Sequence, residues 1–184
     1  MSLKINRIGF FSLAMAALTM VACSDSREQT ENTATETQQT TDSNTAIAPA
    51  AETTYPSFTL QDVNGNAVNL QNMKGKKVFM NLWATWCPPC RREMPSIQKL
   101  YQSVDTSKVR FVMLSLDDNF DKAKKWMQKQ NLSMPVYYPA ENLPQLFNVQ
   151  AIPTTFIFNE NGELIQRVDG ADNYDSEAYR TLLK

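Results

Sequence analysis

Histidine is absent from the 184-residue chain. That single absence removes Ser-His-Asp triads, imidazole general bases and histidine metal ligands together. Cysteine is scarce: Cys23, Cys87 and Cys90 are the full set, and an odd number leaves one sulfur over if the protein is exported. Charge of one sign is also missing, since 18 Lys+Arg stand against 19 Asp+Glu for a net charge of -1. No electrostatic footprint for nucleic acid or for a basic membrane-surface patch is present, so no nucleic-acid partner is expected. Finally, no apolar run reaches the roughly 20 residues of a membrane-spanning helix. With 42% hydrophobic and 20% charged side chains, what remains is the make-up of one ordinary globular domain with extra segments.

The longest apolar run, residues 8–21, follows Lys4 and Arg7 and reads as a secretory signal over residues 1–22. It ends in Leu18-Thr19-Met20-Val21-Ala22-Cys23, which resembles the bacterial lipoprotein processing box, with Met20 where that box usually has Leu. The resemblance implies cleavage before Cys23 and a diacylglycerol on its sulfur. Lipidation would account for the odd cysteine and leave one pair. Residues 24–54 hold six acids and one Arg with no aromatic residue, a composition that cannot bury enough apolar surface to order itself. As a flexible coil that stretch spans on the order of 30 Å, and it is expected to act as a tether. Residues 23–54 are therefore read as acylated cysteine plus linker, and residues 55–184, with net charge +2, as the domain.

Within the domain, Phe58 to Leu60 and Ala67 to Leu70 flank Asn64-Gly65 and read as a hairpin. Val78 to Trp83 and Val109 to Leu116 are mostly apolar runs of the kind covered on both faces of a sheet, and Ile97, Leu100, Tyr101 and Val104 recur at helical spacing between them. A short Lys-rich helix over 121–130, an extended segment over 135–138 and a helical turn over 143–147 follow. Thr154 to Phe158 and Leu164 to Val168 pair across Asn161-Gly162, and residues 174–183 form a last helix. A parallel strand-helix-strand unit followed by a hairpin and helix predicts an α/β three-layer sandwich with a central mixed sheet.

Trp86-Cys87-Pro88-Pro89-Cys90-Arg91 lies where the first central strand hands over to a helix. Cys87 is then expected at the N-cap and Cys90 one turn later, where dithiol and disulfide interconvert with little backbone movement. The positive end of the helix dipole favours the Cys87 thiolate, the species that attacks a disulfide, and Cys90 resolves the mixed disulfide. A zinc site would need four ligands that the chain does not offer. A c-type haem site would need His at position 91, which is Arg. No metal or other cofactor is expected. A static structural disulfide stays open as an alternative, although so short a loop gains little chain entropy.

The run Trp83-Ala84-Thr85-Trp86-Cys87-Pro88-Pro89-Cys90-Arg91-Arg92-Glu93-Met94-Pro95, with the later Ile152-Pro153-Thr154-Thr155, resembles the thioredoxin-fold thiol-disulfide oxidoreductases of the TlpA/ResA/DsbE-like group. The resemblance implies a thioredoxin-like domain that exchanges disulfides with client proteins outside the cytoplasm, often in cytochrome c maturation. It gives Cys87 the nucleophile's role and Cys90 the resolving role, with Trp86, Pro88, Ile152 and Pro153 facing the substrate and Pro153 in the cis form. Thioredoxins carry a buried Asp six residues before the first Cys; here that position is Asn81, which cannot move a proton. The acid that replaces it is expected at the end of the second central strand, with Asp118 preferred over Asp117 and a raised pKa, or at Glu93; Asp117, Asp118 and Asn119 could equally cap the next helix. Further expectations are a monomer, lipid-anchored in the bacterial cell envelope and facing the periplasm, re-reduced by a membrane partner. Pro88 and Pro89 offer the Cys87 thiolate no N–H, which points to a reductase. The alternatives are a dithiol oxidase and a non-catalytic lipoprotein with a structural disulfide.

Overall fold

The computed structural model describes residues 54–184. The signal peptide expected over 1–22, the expected acylation of Cys23 and the tether expected over 24–54, apart from Thr54, lie outside this range. Among the described residues no helix is long and apolar enough to cross a membrane.

The chain enters through a bridge between Thr54 and Glu163 and forms the hairpin β1 (Thr59–Gln61) and β2 (Ala67–Asn69). Asp62 organises the turn, its carboxylate accepting the N–H groups of Asn64 and Asn66, both at 2.8 Å. Leu70 does not extend β2; it starts a 3-10 turn over Leu70–Met73, capped by the side chain of Asn69. The central strands β3 (Lys77–Trp83) and β4 (Val109–Ser115) pair in parallel from Lys77↔Val109 to Trp83↔Ser115. Between them runs α1 (Pro88–Ser103). After β4 come α2 (Phe120–Lys129), β5 (Val136–Pro139), a 3-10 turn over Gln145–Phe147, the hairpin β6 (Thr154–Phe158) and β7 (Leu164–Asp169), and α3 (Glu177–Leu182).

The strands form one seven-stranded sheet in the order β2-β1-β5-β4-β3-β6-β7. Strand β5 is the joint: it lies parallel to β4 and antiparallel to β1, which ties the entering hairpin to the central pair. Alternation along β3 sorts the core into two layers. Phe79 and Trp83 face a cluster built with α1, α2 and α3, whereas Val78, Met80 and Leu82 face Phe58, Leu70, Phe147, Phe156 and Phe158. Burial of each large apolar side chain contributes roughly 1.5–3 kcal/mol, so both layers are needed to hold the sheet.

The layers are unequal. All three α-helices contribute to one cluster, while the opposite face is covered by the two 3-10 turns and the entering segment rather than by a helix. The last helix is also shorter than its expected span of 174–183. Tyr174 instead sends its ring into the core, edge-on to Phe79 at 5.2 Å between centroids, and the backbone takes up helix only from Glu177.

Candidate active site

The site forms where β3 ends. Cys87 is the N-cap of α1 with φ -91° and ψ 105°, and Pro88 and Pro89 fill the first two helical positions. Pro suits that start because its fixed φ is helical and its missing N–H would be unsatisfied there anyway. The consequence is electrostatic. Two of the free donors at the helix start are gone, Arg91 N–H bonds the Cys87 carbonyl at 3.1 Å, and Cys90 N–H is left to approach Cys87 Sγ at 3.3 Å. Helix α1 continues through Pro95, where the Arg91 carbonyl has no N–H to accept.

Cys87 and Cys90 are joined as a disulfide, with 5.3 Å between their Cα atoms. Cys90 is fully buried and Cys87 keeps 3% exposure, so of the two residues only Cys87 reaches the surface. Beside it Trp86 is 63% exposed, and Pro88, Arg91 and Arg92 line a groove of about 340 Å³ with Trp126 of α2 and Gln130, the residue that follows that helix. Across the disulfide lies the loop before β6, where the Ile152–Pro153 bond is cis. The Ile152 carbonyl stands 3.7 Å from Cys87 Sγ. Thr154 Oγ1 donates to the Ala151 carbonyl at 2.8 Å and Gly170 N–H to the Pro153 carbonyl at 2.9 Å, which fixes this loop from both sides.

The acids behind the pair are arranged differently from their expected order. Asp118 is exposed and ion-paired with Lys122 at 2.7 Å. The raised pKa expected for it is therefore reversed: the hydrogen bond and charge of Lys122 hold its carboxyl below the usual range. Asn119, not Asp118, caps α2 by accepting the Asp121 N–H. Asp117 turns inward instead. Its carboxylate accepts from Thr85 N–H at 3.1 Å, Thr85 Oγ1 at 2.6 Å and Ser115 Oγ at 2.8 Å, pinning the turn that leads into Cys87.

Glu93 lies one helical turn beyond Cys90 on the same face and is 3% exposed. Its Oε1 accepts from Asn81 Nδ2 at 2.8 Å and its Oε2 from Asp172 N–H at 3.2 Å. Burial pushes its pKa up to about 7, against the pull of those two donors. Asn81 Nδ2 also donates to Thr155 Oγ1 at 2.9 Å, and Thr155 Oγ1 meets the Tyr174 hydroxyl at 2.6 Å. Burial and the neighbouring Glu93 carboxyl raise the Tyr174 pKa far above that of a free phenol, which keeps it protonated. The Tyr179 hydroxyl donates to Asp172. Among the described residues no group of three or more Cys, Asp or Glu could hold a metal ion.

The cysteine pair thus stands at a helix start, opposite a cis-proline and with a buried acid one helical turn on. The profile of the Redoxin family matches residues 50–183. The chain belongs to the redoxin family. Among curated redoxin relatives, the thiol-disulfide oxidoreductase ResA of Halalkalibacterium halodurans is 30% identical over 129 residues, covering 69% of this chain and 73% of that protein. ResA of Geobacillus kaustophilus is 33% identical over 124 residues, covering 67% and 71%. Among solved structures, StoA from Bacillus subtilis is 26% identical with a TM-score of 0.56 over 65% of this chain and 92% of that one. This redoxin is a thiol-disulfide oxidoreductase of the TlpA/ResA/DsbE-like group with a thioredoxin-like fold.

Asn81, expected only as a residue unable to move a proton, and Asp117, second to Asp118 among the expected acids, carry the site's polar contacts together with Thr155. A signal for two of them exists in the sequence. Counting by twos along the strands puts Asn81 with Phe79 and Trp83, and Asp117 with Phe111, Met113 and Ser115, on the face that receives α1.

Proposed function

We propose that this redoxin is a lipid-anchored reductase of protein disulfides in the bacterial cell envelope. Cys87 attacks the client disulfide, Cys90 resolves the mixed disulfide, and Glu93 takes the Cys90 proton. The client strand lies between Trp86 and Pro88 on one side and Ile152 and Pro153 on the other. Cys23 carries the lipid, residues 24–53 form the tether, and a membrane partner returns electrons to the pair. Disulfide-bonded apocytochrome c is one client class in keeping with the family resemblance.

The observation that supports the reducing direction is the start of α1. Pro88 and Pro89 have no N–H, and a single donor, that of Cys90, reaches Cys87 Sγ at 3.3 Å. A thiolate with so few donors is weakly favoured, and a pair whose reduced form is weakly stabilised gives up its electrons readily. Equilibration with glutathione tests this. The expected potential lies well below that of the strong oxidants, which is about -120 mV, and the Cys87 pKa well above their ~3.5. Values near those of the oxidants would make the protein an oxidase. A pair that withstands glutathione and dithiothreitol alike, with a potential below about -300 mV and no exchange with client disulfides, would make it a static staple. Anchoring is tested by fatty-acid labelling of the full chain, which Cys23→Ala should abolish.

A further inference from the structure

Asn81 is fully buried on β3 and cannot exchange a proton, yet both of its N–H groups are committed: one to Glu93 Oε1 at 2.8 Å, the other to Thr155 Oγ1 at 2.9 Å. Its carbonyl oxygen, Oδ1, is buried without a partner among the described residues. Leaving a buried carbonyl unpaired is unfavourable, and the opposite orientation of the amide shows why it persists. With the amide reversed, Oδ1 would face Glu93 Oε1, acceptor against acceptor, whenever that carboxyl is ionised. The observed orientation serves a carboxylate. Thr155 holds it there from β6, and Tyr174 holds Thr155 through its hydroxyl at 2.6 Å.

We propose that Asn81 is a positioning residue for the resolving half-reaction: clamped by Thr155, its amide presents Glu93 to Cys90 as a hydrogen-bonded carboxylate able to accept the thiol proton. This rests on the reading of Glu93 as proton acceptor. In the mixed disulfide, Cys90 passes its proton to Glu93 and the thiolate attacks Cys87 Sγ. The Cys87–Cys90 bond forms as the bond to the client sulfur breaks. The electron pair leaves with that sulfur, which takes a proton from water, so the client disulfide has gained two electrons and the pair has lost them.

The groups around Glu93 explain why an amide donor matters. Facing it are Asn81 from β3, Asp172 from the segment after β7, Tyr174 just before α3 and Tyr179 within it, and Cys90 precedes it by one turn of α1. None is cationic. The Asp172 charge and burial both favour the protonated acid, and only the N–H groups of Asn81 and Asp172 oppose them. Without the Asn81 donor, Glu93 would hold its proton through neutral pH and Cys90 would have no base beside it.

The experiment follows release of the client thiol from a preformed mixed disulfide between Cys87 and a disulfide-bonded test peptide, over pH 5 to 9.5, with the Glu93 carboxyl carbon titrated in parallel by NMR. Asn81→Leu, with the same branching and number of side-chain heavy atoms, should raise both midpoints by about one unit or more and slow release at pH 7 about tenfold, with recovery at high pH. Thr155→Val, which removes the clamp, should shift both midpoints the same way by less. The double exchange N81D/E93Q returns one acid and one amide to the same hydrogen bond and should restore much of the wild-type profile. Unmoved midpoints in Asn81→Leu, beside a Glu93→Gln variant that has lost its pH step, would overturn the role of Asn81 and leave Glu93 standing. A Glu93→Gln variant with the wild-type profile would instead remove Glu93 as proton acceptor. Should Asn81→Leu fail to fold, an unshifted midpoint in Thr155→Val together with no restoration in the double exchange overturns the proposal.

Discussion

Asn81 on β3 and Glu93 on α1 meet across the strand–helix interface, Nδ2 donating to Oε1 at 2.8 Å with neither side chain open to solvent. A strand residue and a helix residue twelve positions apart thus close a polar contact inside an otherwise apolar layer, directly behind the cysteine pair.

The titration of Glu93 should be visible in stability. Its folded-state pKa, about 7, is raised from 4.5, so between those values the folded protein holds a proton that the unfolded chain has released. The stabilising contribution is complete below about pH 4.5 and is lost as pH rises through about 7, on the order of 3 kcal/mol at most. Urea denaturation of the oxidised protein should show wild type losing stability across this window relative to Glu93→Gln. A wild-type protein that gains on the variant as pH rises would contradict the assignment.

The order of attack can be read by trapping. Cys90→Ser should accumulate a mixed disulfide on Cys87 with a protein substrate, seen as the combined mass in non-reducing mass spectrometry, while turnover is lost. Cys87→Ser should trap nothing, since Cys90 is fully buried. Adducts on Cys90 would reverse the two roles.

Asp117 gathers the Thr85 backbone and hydroxyl and the Ser115 hydroxyl on one buried carboxylate. Asp117→Ala leaves those donors unpaired and should cost about 2 kcal/mol in urea. Because Thr85 precedes Cys87 by two residues, alkylation of reduced Cys87 should also change rate in this variant. An unchanged rate would make Asp117 purely structural.

Gly162 sits at φ 84° with the Tyr55 ring beneath it, where an added Cβ would lie 3.1 Å from Cζ. Gly162→Ala is expected to lower stability by about 1–3 kcal/mol through backbone strain and the displaced ring. Thermal unfolding measures it, and a loss comparable to a neutral surface change would show that Tyr55 gives way freely.

Much of this molecule can be read from one-dimensional patterns. The apolar runs of β3 and β4, the Asn161-Gly162 turn and the Cys-Pro-Pro-Cys spacing each carry a local physical signal, and the structure has them as expected: a parallel pair, a hairpin, and an N-capping cysteine. What escaped depends on the third dimension. Asp117 and Asp118 are adjacent and chemically alike, and only the pleat decides that one reaches Thr85 and the other Lys122. The desolvation that lifts Glu93 comes from β3, β6 and the Tyr174 segment closing over it, none of which helix spacing reveals. Tyr174 reads as helical by composition, but an aromatic ring buried against Phe79 outweighs a weak local preference.

The bridge between Thr54 and Glu163 and the hydrogen bond from Tyr55 N–H to the Gly162 carbonyl bring the chain in at the rim of the sheet where β3 begins. The cysteine pair sits at the rim where β3 ends. Seven strand residues lie between the two rims, about 20 Å of protein. A body held from its N-terminal side therefore carries its reactive sulfur on the far pole, outward from whatever holds it. Held that way, it would meet other proteins with the exposed Trp86 foremost.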